Sequence, residues 1–169
     1  MNRPQPDEYA PYYAPYIEKI EDEVFVVLDE QLTSVVNFLK EIPEDKHNYA
    51  YAPGKWTIKE IMGHVIDTER IMSYRLLRFS RKDSTGLAGF DENSYILNSS
   101  YQERSFLSLI EEFQTVRKSH LFIFNALTPA QLELRGAANG SEVSVRALLF
   151  IIAGHLQHHM EVIKTRYLA

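Results

Sequence analysis

Four stretches of this chain carry apolar side chains at three- and four-residue spacing. Each is long enough for about five turns of helix or more. That pattern directs the chain towards helices packed on helices. The first stretch runs from about Asp22 to Leu39, with Val24, Phe25, Leu28, Leu32, Val35 and Leu39 on one stripe, Gln31 at its edge and Pro43 beyond its end. The second opens at Thr57, where Thr57-Ile58-Lys59-Glu60 has the form of a capping box. It runs to about Phe79, and its stripe is Ile61, His64, Thr68, Ile71, Arg75 and Phe79. The third spans about Gln102 to Ala126, with Phe106, Leu109, Ile110, Phe113, Val116, His120 and Phe124 inward. The fourth runs from Ser144 to Leu168. Leu148, Ile152 and Val162 share its stripe with His155 and His159, and Arg166 continues it into the last turn. Between the third and fourth, Thr128-Pro129-Ala130-Gln131 repeats the capping signature and predicts a short helix that stops by Gly136. Asn139-Gly140 is a tight-turn dipeptide. Strand alternation is slight and no repeat is evident. The expected fold is all-α, an antiparallel four-helix bundle with a short accessory helix.

The remaining stretches are connections and an arm. Residues 1–22 hold Pro4, Pro6, Pro11 and Pro15 with Tyr9, Tyr12, Tyr13 and Tyr16. Prolines disfavour regular helix and the tyrosines need a surface. An N-terminal arm over the domain or over a neighbouring subunit is expected, with a loose tail as the alternative. The bundle domain then occupies residues 23–169. The loop Glu44–Trp56 has a turn signal at Pro53-Gly54, and His47 within it reads as a surface ring. Residues 80–98 form a long connection with Phe90 and Asp91 near its centre. That connection either folds back over the bundle mouth or is a plain solvated loop. Asp91 is the expected partner of Arg75, the alternative being that Arg75 snorkels to the surface.

Composition narrows the function classes. The 169 residues suit one domain. Without cysteine the chain has no disulfide, no thiolate ligand and no cysteine nucleophile. A net charge of -5 with no basic block argues against a nucleic-acid partner. The longest apolar run, Ala147 to Gly154, falls far short of the ~20 residues that span a bilayer. The N-terminus lacks the apolar core of a signal peptide. A cytoplasmic protein without a membrane partner is expected.

The chemistry-bearing signal lies in the fourth stretch. His155 and His159 stand four residues apart, one helical turn, and can grip one ion from a single face. A pair alone also fits one core histidine beside one surface ring. His64, inward on the second stretch, supplies a third imidazole. Three neutral nitrogens on one divalent ion leave a position open, as catalytic sites do. Imidazole suits zinc, nickel, copper and iron, with zinc or nickel expected here. Asp67 or Glu60 could orient a ring through its free N–H, or either could be a solvated acid. His158 falls at the edge of the stripe and is expected to stay off the metal. His120 reads as a core histidine hydrogen-bonded to a neighbour.

Three anchors give a family resemblance. They are Lys55-Trp56-Thr57-Ile58-Lys59-Glu60 with Gly63-His64 and Asp67-Thr68-Glu69-Arg70; Gly89-Phe90-Asp91-Glu92; and Ser144-Val145-Arg146-Ala147 leading to Ala153-Gly154-His155, His158-His159 and Arg166-Tyr167-Leu168. In this order the chain resembles the DinB/YfiT-like superfamily. The resemblance implies a DinB-type bundle with a three-histidine metal site, carried over to His64, His155 and His159. It also implies a homodimer. Some relatives use a low-molecular-weight thiol in transfer or isomerisation, and others are labelled metal-dependent hydrolases. Metal-dependent transfer of an external thiol to a small electrophile is the first expectation. A metal-binding stress protein without turnover, or a metal-dependent hydrolase, is the alternative. A bundle with merely structural histidines is the third.

Overall fold

The computed structural model describes residues 1–169. Seven α-helices follow one another: α1 (Ala14–Ile17), α2 (Val24–Lys40), α3 (Ile58–Ser80), α4 (Glu92–Leu97), α5 (Phe106–Asn125), α6 (Pro129–Leu132) and α7 (Val145–Val162). A hairpin of β1 (Arg135–Ala138) and β2 (Ser141–Ser144) precedes α7. The long helices α2, α3, α5 and α7 form a four-helix bundle. α3 packs against both α5 and α7, and so does α2. The consecutive helices α2 and α3 therefore face one another across the diagonal, and α3 and α7 are neighbours.

Local chemistry sets the helix starts. Thr57 Oγ1 accepts from the Glu60 N–H at 3.2 Å and the Glu60 carboxylate accepts from the Thr57 N–H at 2.7 Å, closing the capping box of α3. Ser144 Oγ accepts from the Ala147 N–H at 2.9 Å and opens α7. Caps of this kind contribute about 1 kcal/mol each. The third long helix begins later than its stripe suggested. Ser105 caps it by accepting from the Ser108 N–H, and Tyr101–Glu103 wind instead as a 3-10 turn. The final stretch is regular helix to Val162, then a π-turn over Ile163–Tyr167.

The structure adds elements that periodicity missed. The connection 80–98 contains α4, capped by the Asp91 side chain, which accepts from the Asn93 and Ser94 N–H groups at 3.0 and 3.1 Å. Asp91 is thus a helix cap and not the partner of Arg75. Asn139 and Gly140 both have positive φ, 52° and 73°, as a two-residue hairpin turn between right-twisted strands requires. His47 is not a free surface ring: it is half-buried, stacked on Phe106 at 4.1 Å, with Nε2 3.1 Å from the Ile42 carbonyl.

The core has two apolar halves, one around Leu28, Leu76, Phe79 and Phe124, the other around Leu39, Met62, Phe113 and Leu156. Buried polar groups lie at the middle of the bundle. Arg117 on α5 binds both carboxylate oxygens of Glu69 on α3, and also Gln31 Oε1 and the Leu28 carbonyl on α2. Gln31 in turn donates to the Ala153 carbonyl on α7 at 2.9 Å. One network thus touches all four long helices and satisfies its charges. Burial alone would raise the Glu69 carboxyl, but Arg117 and His120 outweigh it and hold it below the usual carboxylate range. His120 is half-buried rather than in the core, and it is hydrogen-bonded as its stripe position suggested, with Nδ1 3.0 Å from Ser73 Oγ and 3.4 Å from Glu69.

The first 22 residues lie on the bundle. Ile17 and Ile20 are buried in its core. Glu8, 2% exposed, pairs with Arg146 at 2.6 Å and accepts from Ser144 Oγ at 2.7 Å. α1 crosses α7 at Gly154, where any Cβ would collide with the Tyr16 carbonyl. That close approach requires a glycine.

Candidate metal centre

His155 and His159 project from one face of α7, and α3 presents His64 to them. His155 Nε2 lies 2.9 Å from His64 Nε2 and 3.1 Å from His159 Nε2. One ligand nitrogen from each ring falls within 4.8 Å of the others. Neutral imidazoles donate or accept at Nε2, not both. Three Nε2 atoms pointing at one another cannot all be satisfied by hydrogen bonds among themselves, whereas one cation accepts all three lone pairs. Tetrahedral ligands about 2.0–2.1 Å from a zinc-sized ion would stand ~3.3 Å apart, a few tenths of an ångström wider than the observed pairs. The donor set therefore fits a divalent transition metal that favours nitrogen, and no carboxylate or sulfur stands among the three.

The surroundings favour the ligand-ready form. His64 and His155 are 8% and 6% exposed. Burial pulls the His64 ring down to about 4. Burial, then the neighbouring His64 and His158, take His159 to about 3. Burial, then the other rings, hold His155 well below the ordinary imidazole value. All three are neutral at pH 7. Trp56 lies against His64 with ring centroids 4.8 Å apart, and the edge of Tyr16 meets His155 at 5.3 Å.

The cluster opens on a cavity of about 290 Å³, lined also by Tyr13, Tyr16, Trp56, Thr68, Arg75 and Glu92. A second cavity of about 320 Å³ lies beyond Trp56 and His159, bounded by Tyr51, His158 and Tyr167. His158 stands outside the three-ring cluster, half-buried and edge-on to Tyr16 at 5.4 Å.

Asp67 and Glu60 do not reach the rings. The Asp67 carboxylate accepts from the Tyr101 hydroxyl at 2.7 Å, on the side of α3 where Tyr101 packs over Gly63. Burial raises the Asp67 carboxyl, against the Tyr101 hydrogen bond. Glu60 is spent on its capping box and on Gln102 Nε2 at 2.5 Å. The hydrogen bonds of the three histidines run only between them. The site residues that sequence reasoning did not place are Tyr13 and Tyr16 from the arm and Glu92 from the long connection. The proline- and tyrosine-rich composition of residues 1–22 was the available signal, but it did not say which surface the rings would cover.

A four-helix bundle with three histidines gathered between two neighbouring helices defines the class. The chain belongs to the DinB superfamily, whose model matches residues 28–163. No curated protein matches it. Among solved structures, YfiT from Bacillus subtilis superposes with a TM-score of 0.74 at 15% identity, covering 93% of each chain. At that identity the likeness is one of fold. YfiT is described as a probable metal-dependent hydrolase with an unusual four-helix bundle topology.

Proposed function

We propose that this chain binds a divalent transition metal through His64, His155 and His159 and uses it on a small molecule held in the adjoining cavity. The carrying observation is the meeting of three Nε2 atoms, two from buried rings and one from the half-buried His159, at a cavity wall with no fourth protein ligand beside them. When bound, the ion supplies Lewis acidity at its open position. The chain supplies the rest. Burial keeps the imidazoles unprotonated. Trp56 packs against His64 and Tyr16 against His155, which limits how those two rings can turn.

Thiol transfer to an electrophile is the reaction we favour. Metal ligation would activate bound water as it does a thiol, but hydrolysis also calls for an acid or base that passes the proton on to the leaving group. Asp67 and Glu60 are committed elsewhere, and the one carboxylate lining the cavity, Glu92, is exposed. An external thiol needs no such group, since metal ligation itself favours the thiolate. Hydrolysis is the second reading, favoured by the fold likeness to YfiT. Metal binding without turnover, as a stress protein, is the third. The homodimer that the resemblance implies belongs to the same proposal, as does a cytoplasmic location. No helix is long and apolar enough to cross a membrane.

The test offers zinc- or nickel-loaded protein with cysteine, glutathione or coenzyme A against 1-chloro-2,4-dinitrobenzene and monobromobimane, alongside ester and amide substrates. Thiol consumption above the uncatalysed rate, lost in His64→Ala, supports transfer. Turnover confined to esters or amides moves the assignment to hydrolysis. Metal-loaded protein inert to every pair leaves binding without turnover. Light scattering of the eluted protein reads the dimer, and a monomer removes it.

A further inference from the structure

Arg75 sits on the same face of α3 as His64 and Thr68 and lines the same cavity as the three histidines. It is 3% exposed, yet it takes part in no ion pair: no carboxylate oxygen lies within 4.0 Å of its nitrogens. One terminal nitrogen donates to the Ala88 carbonyl at 3.0 Å, and the other rests 3.6 Å from the Met72 sulfur. Arg117, equally buried, shows what this fold does with a structural guanidinium, for it is matched bidentately by Glu69 and capped by two further acceptors. Tyr13 does not replace the missing anion. Burial and Tyr12 push its phenol up, against the pull of Arg75, and keep it neutral.

A second observation points the same way. Thr68 Oγ1 is the buried side-chain oxygen or nitrogen with no hydrogen-bond partner anywhere in the chain. It lies on α3 one turn beyond His64, and Arg75 follows about two turns later. Helical side chains lean towards the N-terminus, so the guanidinium is carried back towards Thr68. A cation without an anion, a hydroxyl without a partner and a three-imidazole cluster thus share one wall of a cavity of about 290 Å³.

We propose that Arg75, with Thr68, seats a carboxylate of the cavity's ligand, a small organic acid whose other end reaches the three histidines. A guanidinium matches a carboxylate with two parallel hydrogen bonds, and one positive charge balances one negative. A phosphate dianion would leave one of its charges unbalanced on a single guanidinium. Only the reach to the histidines rests on the metal reading; the carboxylate seat stands without it.

The test uses untagged full-length protein, metal-loaded and metal-free. The probes are acetate, succinate and phenylacetate, the matching neutral amides, and inorganic phosphate, followed by NMR of the arginine side-chain Nε–Hε signals. The carboxylates should shift the Arg75 signal and bind at least about tenfold more tightly than the amides, as the loss of a charge-assisted pair implies. Arg75→Gln should remove that preference and Thr68→Val should weaken it, both with metal content at the wild-type level. An Arg75 signal unmoved by every carboxylate, equal affinity for acids and amides, or a preference for phosphate overturns the proposal. Should Arg75→Gln fail to fold, the wild-type comparison of acids with amides decides by itself. Protein that seats carboxylates but holds no metal ends the metal reading alone; full metal content with no acid preference ends this one alone.

Discussion

Arg117 of α5 and Glu69 of α3 lock together at the middle of the bundle through hydrogen bonds of 2.7 and 3.0 Å, with the two side chains 0% and 3% exposed. Removing one member leaves the other charge buried and unpaired. Arg117→Met should therefore destabilise the protein by about 3–5 kcal/mol. The double replacement Arg117→Met with Glu69→Leu should cost clearly less than the two single losses added. Urea denaturation of the four proteins checks this, and an Arg117→Met loss within ~0.5 kcal/mol of zero would show the pair to be idle.

Gly154 carries the crossing of the arm. A methyl group there meets the Tyr16 carbonyl, which belongs to backbone and cannot swing aside. Gly154→Ala should cost about 1–3 kcal/mol, as overpacking does, and should loosen residues 1–22. Limited proteolysis reads the second effect directly: cleavage near Tyr13 and Tyr16 should quicken in the variant. Unchanged cleavage and unchanged stability would mean that the arm can shift at no cost.

How much of this was legible in advance differs by element. The stripes of α2, α3, α5 and α7 stood out because each helix buries one face over several turns. The three histidines were legible for the same reason, since an i,i+4 pair and an inward ring on another stripe need only helical geometry. The hairpin was not, because strands of four residues are too short for alternation to register. α4 escaped because it is six residues long and is held by the Asp91 cap rather than by a stripe. The partners of Asp67 and Glu60 come from Tyr101 and Gln102, distant in sequence and outside any periodic pattern. Long-range contacts of that kind set which acid faces which ring, and no local signal carries them.

Acid sensitivity of the metal-free protein follows from the histidines. Their rings have folded-state values of about 4 for His64 and about 3 for His159, below the ~6.5 of an unfolded chain. Between those values the unfolded chain binds more protons, so stability is fully present above pH ~6.5 and is lost as pH falls towards 4 and then 3. The unperturbed imidazole value would place ligand protonation near pH 6.5; burial moves it lower, and metal should stay bound below that pH. NMR titration of the metal-free protein checks this, with His64 expected to titrate near 4. Titration of His64 at its ordinary value would contradict the burial argument.

The central claim is that His64, His155 and His159 hold one ion, with His158 outside the set. Metal stoichiometry of untagged protein tests it most directly, by elemental analysis of the wild type and of each single alanine variant after exposure to zinc or nickel. About one ion per chain is expected for the wild type and for His158→Ala. His64→Ala, His155→Ala and His159→Ala should each lose most of it. Wild-type protein that retains neither metal, or His64→Ala protein that keeps full occupancy, would contradict the account.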